Sequence, residues 1–105
     1  MSAYKEIDVE KLQVMLAEKN IQLVDVRTDA EIAQGHIQGA EKLPLHLLPA
    51  RLHELDSGRT TVFYCRIGAR SAQAAAFASA QGFADAYNLQ GGIMAWAQAG
   101  FPLVV

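Results

Sequence analysis

A chain of 105 residues, 51% apolar and 19% charged, has the size and composition of one globular domain (1–105) and can bury roughly 65% of the surface its unfolded form exposes, so it needs no disulfide or metal staple. Its formal charge is −2 with the basic residues scattered, which gives no electrostatic footprint for nucleic acid. No apolar run approaches the ~20 residues of a membrane helix, "MSAYKEIDVE" lacks the apolar stretch of an export signal, and one cysteine allows neither an internal disulfide nor a C-x-x-C pair; the expectation is a cytoplasmic protein with no membrane partner.

Asp8 is an expected N-cap, with Val9, Leu12 and Leu16 following at helical spacing and Asn20 closing the helix. "IQLVDV" (21–26) reads as a short buried strand. Thr28 and Glu31 stand at capping-box spacing and predict a short helix that Gly35 ends. "EKLPL" (41–45) predicts a brief strand stopped by Pro44, and "LLPARLHEL" (47–55) a helix with Pro49 in its first turn. After a Ser57–Gly58 turn, "TTVFY" (60–64) is β-branched and aromatic, the best candidate for a central strand. "SAQAAAFASAQ" (71–81) is alanine-rich helix stopped by Gly82, and its small side chains suit close packing on a sheet. "ADAYNL" (84–89) is a last strand, and Gly91 and Gly92 turn the chain into a final helix, "IMAWAQAG". This alternation predicts an α/β fold with a mainly parallel sheet and helices on both faces, whose ligands bind beyond the carboxyl ends of the strands.

The lone Cys65 falls at such an end, inside "YCRIGARS" (64–71). Free cysteines are more often inert core residues than nucleophiles, and an arginine is more often a solvated surface charge. Here Arg66 and Arg70 flank the only thiol, which argues against both bland readings. Arg66, Ile67, Gly68, Ala69 and Arg70 curl from strand to helix, Ser71 opens the helix, and the loop amides form a nest for an anion. The helix N-terminus adds partial positive charge, the arginines add permanent charge and forked donors, and Gly68 supplies backbone freedom. Together they favour the thiolate, the reactive form. His36, His46 and His53 have no companions for a metal, and His46 and His53 are expected on the surface. A Cys–His pair formed in space stays open.

With these residues in view, the chain resembles the rhodanese domain family, and in particular its single-domain thiosulfate sulfurtransferases. "LVDVR" (23–27) resembles the family's first-strand motif, "GHIQGA" (35–40) its N-terminal signature, "YCRIGARS" its active-site loop and "NLQGGIMAW" (88–96) its C-terminal signature, with Gly91, Gly92 and Trp96 in place. Ile32 stands where the family usually has an aromatic residue and Gln38 where it has a proline, departures that bear on local packing. The resemblance implies a three-layer α/β/α fold with a five-stranded sheet. It implies that Cys65 carries a persulfide, that the amides of Arg66 to Arg70 hold the sulfur anion, that Arg70 helps bind the sulfonate of thiosulfate, and that Arg66 assists at the loop mouth. Asp25, Arg27 and Ser71 are supporting residues, His36 stabilises a turn, and Trp96 anchors the core. The implied partners are a small-molecule sulfur donor and a thiol or cyanide acceptor, or a protein sulfur acceptor, with no cofactor. Two other readings use the same cysteine. One is a sulfur-relay carrier between proteins. The other is a cysteine-dependent phosphatase or arsenate reductase, whose loop places arginine six positions after the cysteine, where this chain has Ser71.

Overall fold

Short β-branched and aromatic runs of this chain line up as one five-stranded sheet in the computed structural model, which describes residues 4–105. In chain order the elements are β1 (Lys5–Ile7), α1 (Val9–Glu18), β2 (Ile21–Asp25), α2 (Asp29–Ala33), β3 (Glu41–Lys42), α3 (Leu48–Arg51), β4 (Thr60–Tyr64), α4 (Ala69–Ala80), β5 (Ala86–Leu89) and α5 (Gly92–Gln98), with 3-10 turns on either side of α3 at Leu45–Leu47 and Leu52–Glu54. The strand order is β1-β5-β4-β2-β3, and every pairing is parallel.

Alternation along β4 sends successive side chains to opposite faces. Phe63 and Cys65 join Val24, Val26 and Ala86 under Leu48, Leu52 and the small residues Ala74, Ala75 and Ala78 of α4. Val62 and Tyr64 join Leu23 and Leu89 under Val9, Leu12 and Met15 of α1 and Ile93 and Trp96 of α5. The result is the three-layer α/β/α architecture. No helix among the described residues is long and apolar enough to cross a membrane.

Several boundaries differ from those the sequence predicts. The fifth strand is β1, three residues that carry too little pattern to be read alone, so "LVDVR" lies on the second strand and not the first. Lys19, in the left-handed conformation at φ 57°, ends α1 ahead of Asn20. Strand β3 stops at Lys42, although Leu43 and Leu45 still donate to Asp25 and Val26 carbonyls around Pro44, which has no N–H. The segment 47–55 is not one helix: Pro49 cannot donate to the turn before it, and only Leu48–Arg51 is α-helical. Helix α4 begins at Ala69, two residues early, because Gly68 at φ +111° takes the cap position and its carbonyl already accepts from Ala72 N at 3.1 Å. Ala69 and Arg70 are therefore helical, and the irregular part of the loop is only Cys65–Gly68.

The register brings distant residues level at one end of the sheet. Asp25 pairs with Tyr64, Phe63 with Asn88, and Asn88 with Glu6. The turn from β5 into α5 then passes directly over the end of β4. Ile93 N donates to the Cys65 carbonyl at 2.9 Å, and Met94 N to the Arg66 carbonyl at 3.1 Å. Only glycine allows this approach, since a Cβ at Gly92 (φ +60°) stands 2.6 Å from the Cys65 oxygen.

Gly92→Ala is expected to destabilise the fold well beyond the about 1–2 kcal/mol of left-handed strain that Gly39→Ala incurs, because Gly39 shares a positive φ but has no atom within 4 Å of its Cβ position. Urea unfolding of both variants checks this, and equal losses count against the close approach as the constraint.

Candidate active site

Peptide geometry builds the site. A trans peptide points its C=O and N–H in opposite directions. With the Cys65 and Arg66 carbonyls held by the N-terminus of α5, the N–H groups of Arg66 and Ile67 turn away from α5. The Cys65 sulfur lies buried, the residue 1% exposed, within the curl that follows. Gly68 N donates to Sγ at 3.1 Å, and Ser71 Oγ lies 3.2 Å from it. Burial pushes the Cys65 thiol up. The Ser71 hydroxyl and the amides of Ser71, Gly68 and Ile67 outweigh it, so the net direction is down, towards thiolate.

The two flanking arginines have different situations. Arg70 is half-buried in the first turn of α4, and both fork nitrogens are taken: Nη1 donates to Glu31 Oε1 at 2.7 Å and Nη2 to Oε2 at 2.9 Å. Its charge still reaches Cys65 through space. Arg66 is exposed and makes no ion pair among the described residues. It borders a cleft of about 400 Å³ together with Arg27, Glu31, Gly35, Ile93 and Met94. Ile67, at the crest of the loop, is 65% exposed.

Asp25 and Arg27 are brought together but make no hydrogen bond to Cys65. Asp25 is 1% exposed and Arg27 5%. Asp25 Oδ1 accepts from Arg27 N and Nε, both at 3.0 Å, and Oδ2 accepts from Nη2 at 2.7 Å. Arg27 Nη2 continues to the Gly35 carbonyl at 2.7 Å, so the pair ties the end of β2 to the segment after α2. Tyr64, on the neighbouring strand, accepts from Ile37 N through its hydroxyl at 3.1 Å. His36 pairs through its backbone with Val104, while His46 and His53 are exposed. Trp96 is buried and donates Nε1–H to the Pro102 carbonyl at 2.8 Å. Ile32 is buried on α2, and Gln38 is exposed.

Two residues that the sequence did not single out, Asn88 and its partner Glu6, complete the site. Asn88, 3% exposed on β5, faces the α4 side. Its Oδ1 accepts from Ser71 Oγ at 2.5 Å, and its Nδ2 donates to the Gly68 carbonyl at 3.2 Å and to Glu6 Oε1 at 2.9 Å. The available signal was one amide side chain between apolar neighbours in "AYNL", a polar group that must find partners once buried.

Known proteins resemble this chain in sequence and in fold. A "Sulfurtransferase" of Allochromatium vinosum is 52% identical over 100 residues, 94% of this chain and 94% of that protein. "Thiosulfate sulfurtransferase GlpE" of Shewanella oneidensis is 37% identical over 99 residues, covering 94% of this chain and 98% of its own. The crystal structure of a rhodanese-related protein from Thermoplasma volcanium superposes with a TM-score of 0.90 at 29% identity, covering 96% of this chain and 98% of that one. The family model for the Rhodanese-like domain matches residues 8–99, from the cap of α1 past the end of α5, and so includes β2 to β5 and the Cys65 loop. A parallel five-stranded sheet, a cysteine curled into amides after its central strand, and this match lead to one conclusion: the chain belongs to the rhodanese-like domain family.

Proposed function

We propose that this sulfurtransferase-family chain moves a sulfane sulfur from thiosulfate to a thiophilic acceptor, cyanide or a thiol, through a persulfide on Cys65. The observation that carries the reading is the convergence of the Gly68 amide and the Ser71 hydroxyl on Cys65 Sγ, at 3.1 and 3.2 Å, beyond the central strand. The Cys65 thiolate attacks the outer sulfur of thiosulfate, the S–S bond breaks, and sulfite leaves with the electron pair. The amide nest then holds the anionic outer sulfur. An acceptor attacks that sulfur, and the second S–S cleavage returns the thiolate, which is a ping-pong sequence. Charge is balanced at each step by fixed dipoles, and no proton shuttle takes part.

The sulfonate of the donor goes to Arg66, a cation at the cleft with no ion pair among the described residues, and not to Arg70, whose fork is closed by Glu31. Arg70 supplies background positive charge and latches α4 to α2. The same closed fork disfavours the phosphatase reading, which needs an arginine open to equatorial phosphate oxygens. Exposed apolar side chains beside the cleft, Ile67 at 65% and Met94 at 39%, favour a protein as one class of acceptor, because an anion gains nothing from them.

Three outcomes are expected. Cys65→Ser, nearly isosteric, stays folded and loses both the one-sulfur mass gain after thiosulfate treatment and thiocyanate formation; a folded serine variant that still makes thiocyanate refutes the mechanism. Arg66→Ala raises the KM for thiosulfate about tenfold with little change in kcat, the equivalent of one charge-assisted hydrogen bond, whereas Arg70→Lys has a smaller effect on KM; steady-state assays over a thiosulfate range separate them. The third concerns the latch. The Arg70 guanidinium, with help from the Thr28 amide and hydroxyl, overcomes burial and holds Glu31 down to about 2 from an ordinary 4.5. A depressed carboxyl contributes stability above its unfolded value and loses it as pH falls through its folded value. Urea midpoints of the wild type are therefore expected to fall more steeply than those of Glu31→Gln between pH 4.5 and about 2.

A further inference from the structure

Side chains from three strands or their ends and one helix form an unbroken hydrogen-bonded chain: Glu6 on β1, Asn88 on β5, Ser71 on α4 and Cys65 after β4. The proton inventory along it is constrained. The Glu6 carboxylate and the Gly68 carbonyl only accept, so Asn88 turns its NH₂ to them, at 2.9 and 3.2 Å, and must turn Oδ1 to Ser71. Ser71 is fully buried and has one proton with two claimants, Asn88 Oδ1 at 2.5 Å and Cys65 Sγ at 3.2 Å. A hydroxyl rotates to suit its surroundings. A neutral sulfur is a weak acceptor and loses this competition to an amide oxygen; a thiolate is a strong, charged one and wins it.

We propose that the Ser71 hydroxyl is a rotor that rests on Asn88 while Sγ is uncharged and swings onto Sγ whenever it carries the negative charge, with Asn88 as the positioning residue that competes for the proton. The consequence for sulfur transfer rests on the Cys65 reading above. In the persulfide the charge sits on the outer sulfur and Sγ is a neutral divalent atom, so Ser71 stays on Asn88. When cyanide takes the outer sulfur, the S–S bond breaks and its electron pair goes to Sγ. The hydroxyl then changes acceptor from Oδ1 to Sγ, and no proton is gained or lost. Ser71 therefore acts on the leaving thiolate in the discharge step, and Asn88 acts against it.

The charged and titratable groups around Cys65 are Arg66 beside it, Arg70 and Glu31 paired on α4 and α2, Asp25 and Arg27 at the end of β2, Tyr64 before it on β4, and Glu6 beyond Asn88. All remain in Ser71→Ala, Asn88→Leu and Asn88→Ala, and the Ser71→Ala background controls for the Glu6 and Gly68 hydrogen bonds that the Asn88 substitutions also remove. Cys65 is the only thiol, and its ultraviolet thiolate absorbance against pH, corrected for the three tyrosines through the separate longer-wavelength tyrosinate band, reads its ionisation. Ser71→Ala is expected to raise the ionisation midpoint by about one unit, the loss of one hydrogen bond to a charged atom. Asn88→Leu, and Asn88→Ala as a second variant should the larger side chain disturb β1, are expected to lower it, because the Ser71 proton loses its competing acceptor. In the Ser71→Ala background the Asn88 substitutions are expected to have no effect. If Asn88 merely packs the loop, its removal raises the midpoint, with or without the hydroxyl, and the proposal is overturned. At a pH above every midpoint, sulfur-loaded Ser71→Ala is expected to release thiocyanate about threefold more slowly in a single turnover, since a leaving thiol departs more slowly as its pKa rises, and Asn88→Leu to release it faster. A protein that takes up no sulfur from thiosulfate refutes the sulfur-transfer reading alone, while the titration still decides the rotor.

Discussion

The site depends on two backbone hydrogen bonds. Ile93 and Met94, in the first turn of α5, take the carbonyls of Cys65 and Arg66 at 2.9 and 3.1 Å. Because each peptide is planar, fixing a carbonyl on one side fixes an N–H on the other, and the loop is wound with its donors away from α5. The nest is thus imposed from outside the loop, by a helix some thirty residues later in the chain. The double glycine before α5 serves that end: a Cβ at Gly92 occupies the space of the Cys65 carbonyl.

Around this frame, buried polar side chains are matched in pairs and chains, with His36 Nδ1 the exception among the described residues. Asp25 and Arg27 neutralise each other at the end of β2, and Arg27 spends its remaining donors on the Gly35 and Glu31 carbonyls. Gln22 is buried at the other end of β2 and is satisfied by Thr61 and by both backbone groups of Asp56. Asn88 uses both ends of its amide. A buried polar group without a partner is expensive, and a fully partnered one stiffens its surroundings. The region below Cys65 is therefore held on several sides, while Arg66 and Ile67 above it are exposed. That division suits a reaction in which the protein sulfur stays put and the donor and acceptor come and go, as proposed here.

The opposite fates of Arg66 and Arg70 follow from where α4 begins. With Gly68 as the cap, Arg70 lies in the first helical turn, facing α2, where the capping-box residue Glu31 presents both oxygens. Glu31 thus serves the start of α2 and the start of α4 together, accepting from Thr28 N at 3.2 Å and from Arg70. Arg66, still in the irregular stretch, makes no ion pair among the described residues and is exposed to solvent.

The parts of this protein set by short-range interactions were legible in the residues. The Asp8 and Thr28 caps, the alanine-rich α4, the central strand at 60–64 and the placement of Cys65 at its end all depend on neighbours within a turn or a strand, and the structure has them. The small β1 and β3 strands were not fully legible, because two or three residues hold no periodicity and become strands only by pairing with β5 and β2. The chemistry of the loop divides in the same way. A thiol between two arginines and beside a glycine pointed to an activated sulfur, but the partners of those arginines did not follow from it. Glu31 is 39 residues from Arg70, Asn88 is 17 from Ser71, and Glu6 is 82 from Asn88. Which of these groups meet is decided by the strand order β1-β5-β4-β2-β3 and its register, and a local pattern carries no information about either. The sequence by itself determined where the one sulfur of the loop sits along the chain; the tertiary structure alone decided which donors, acceptors and charges surround it.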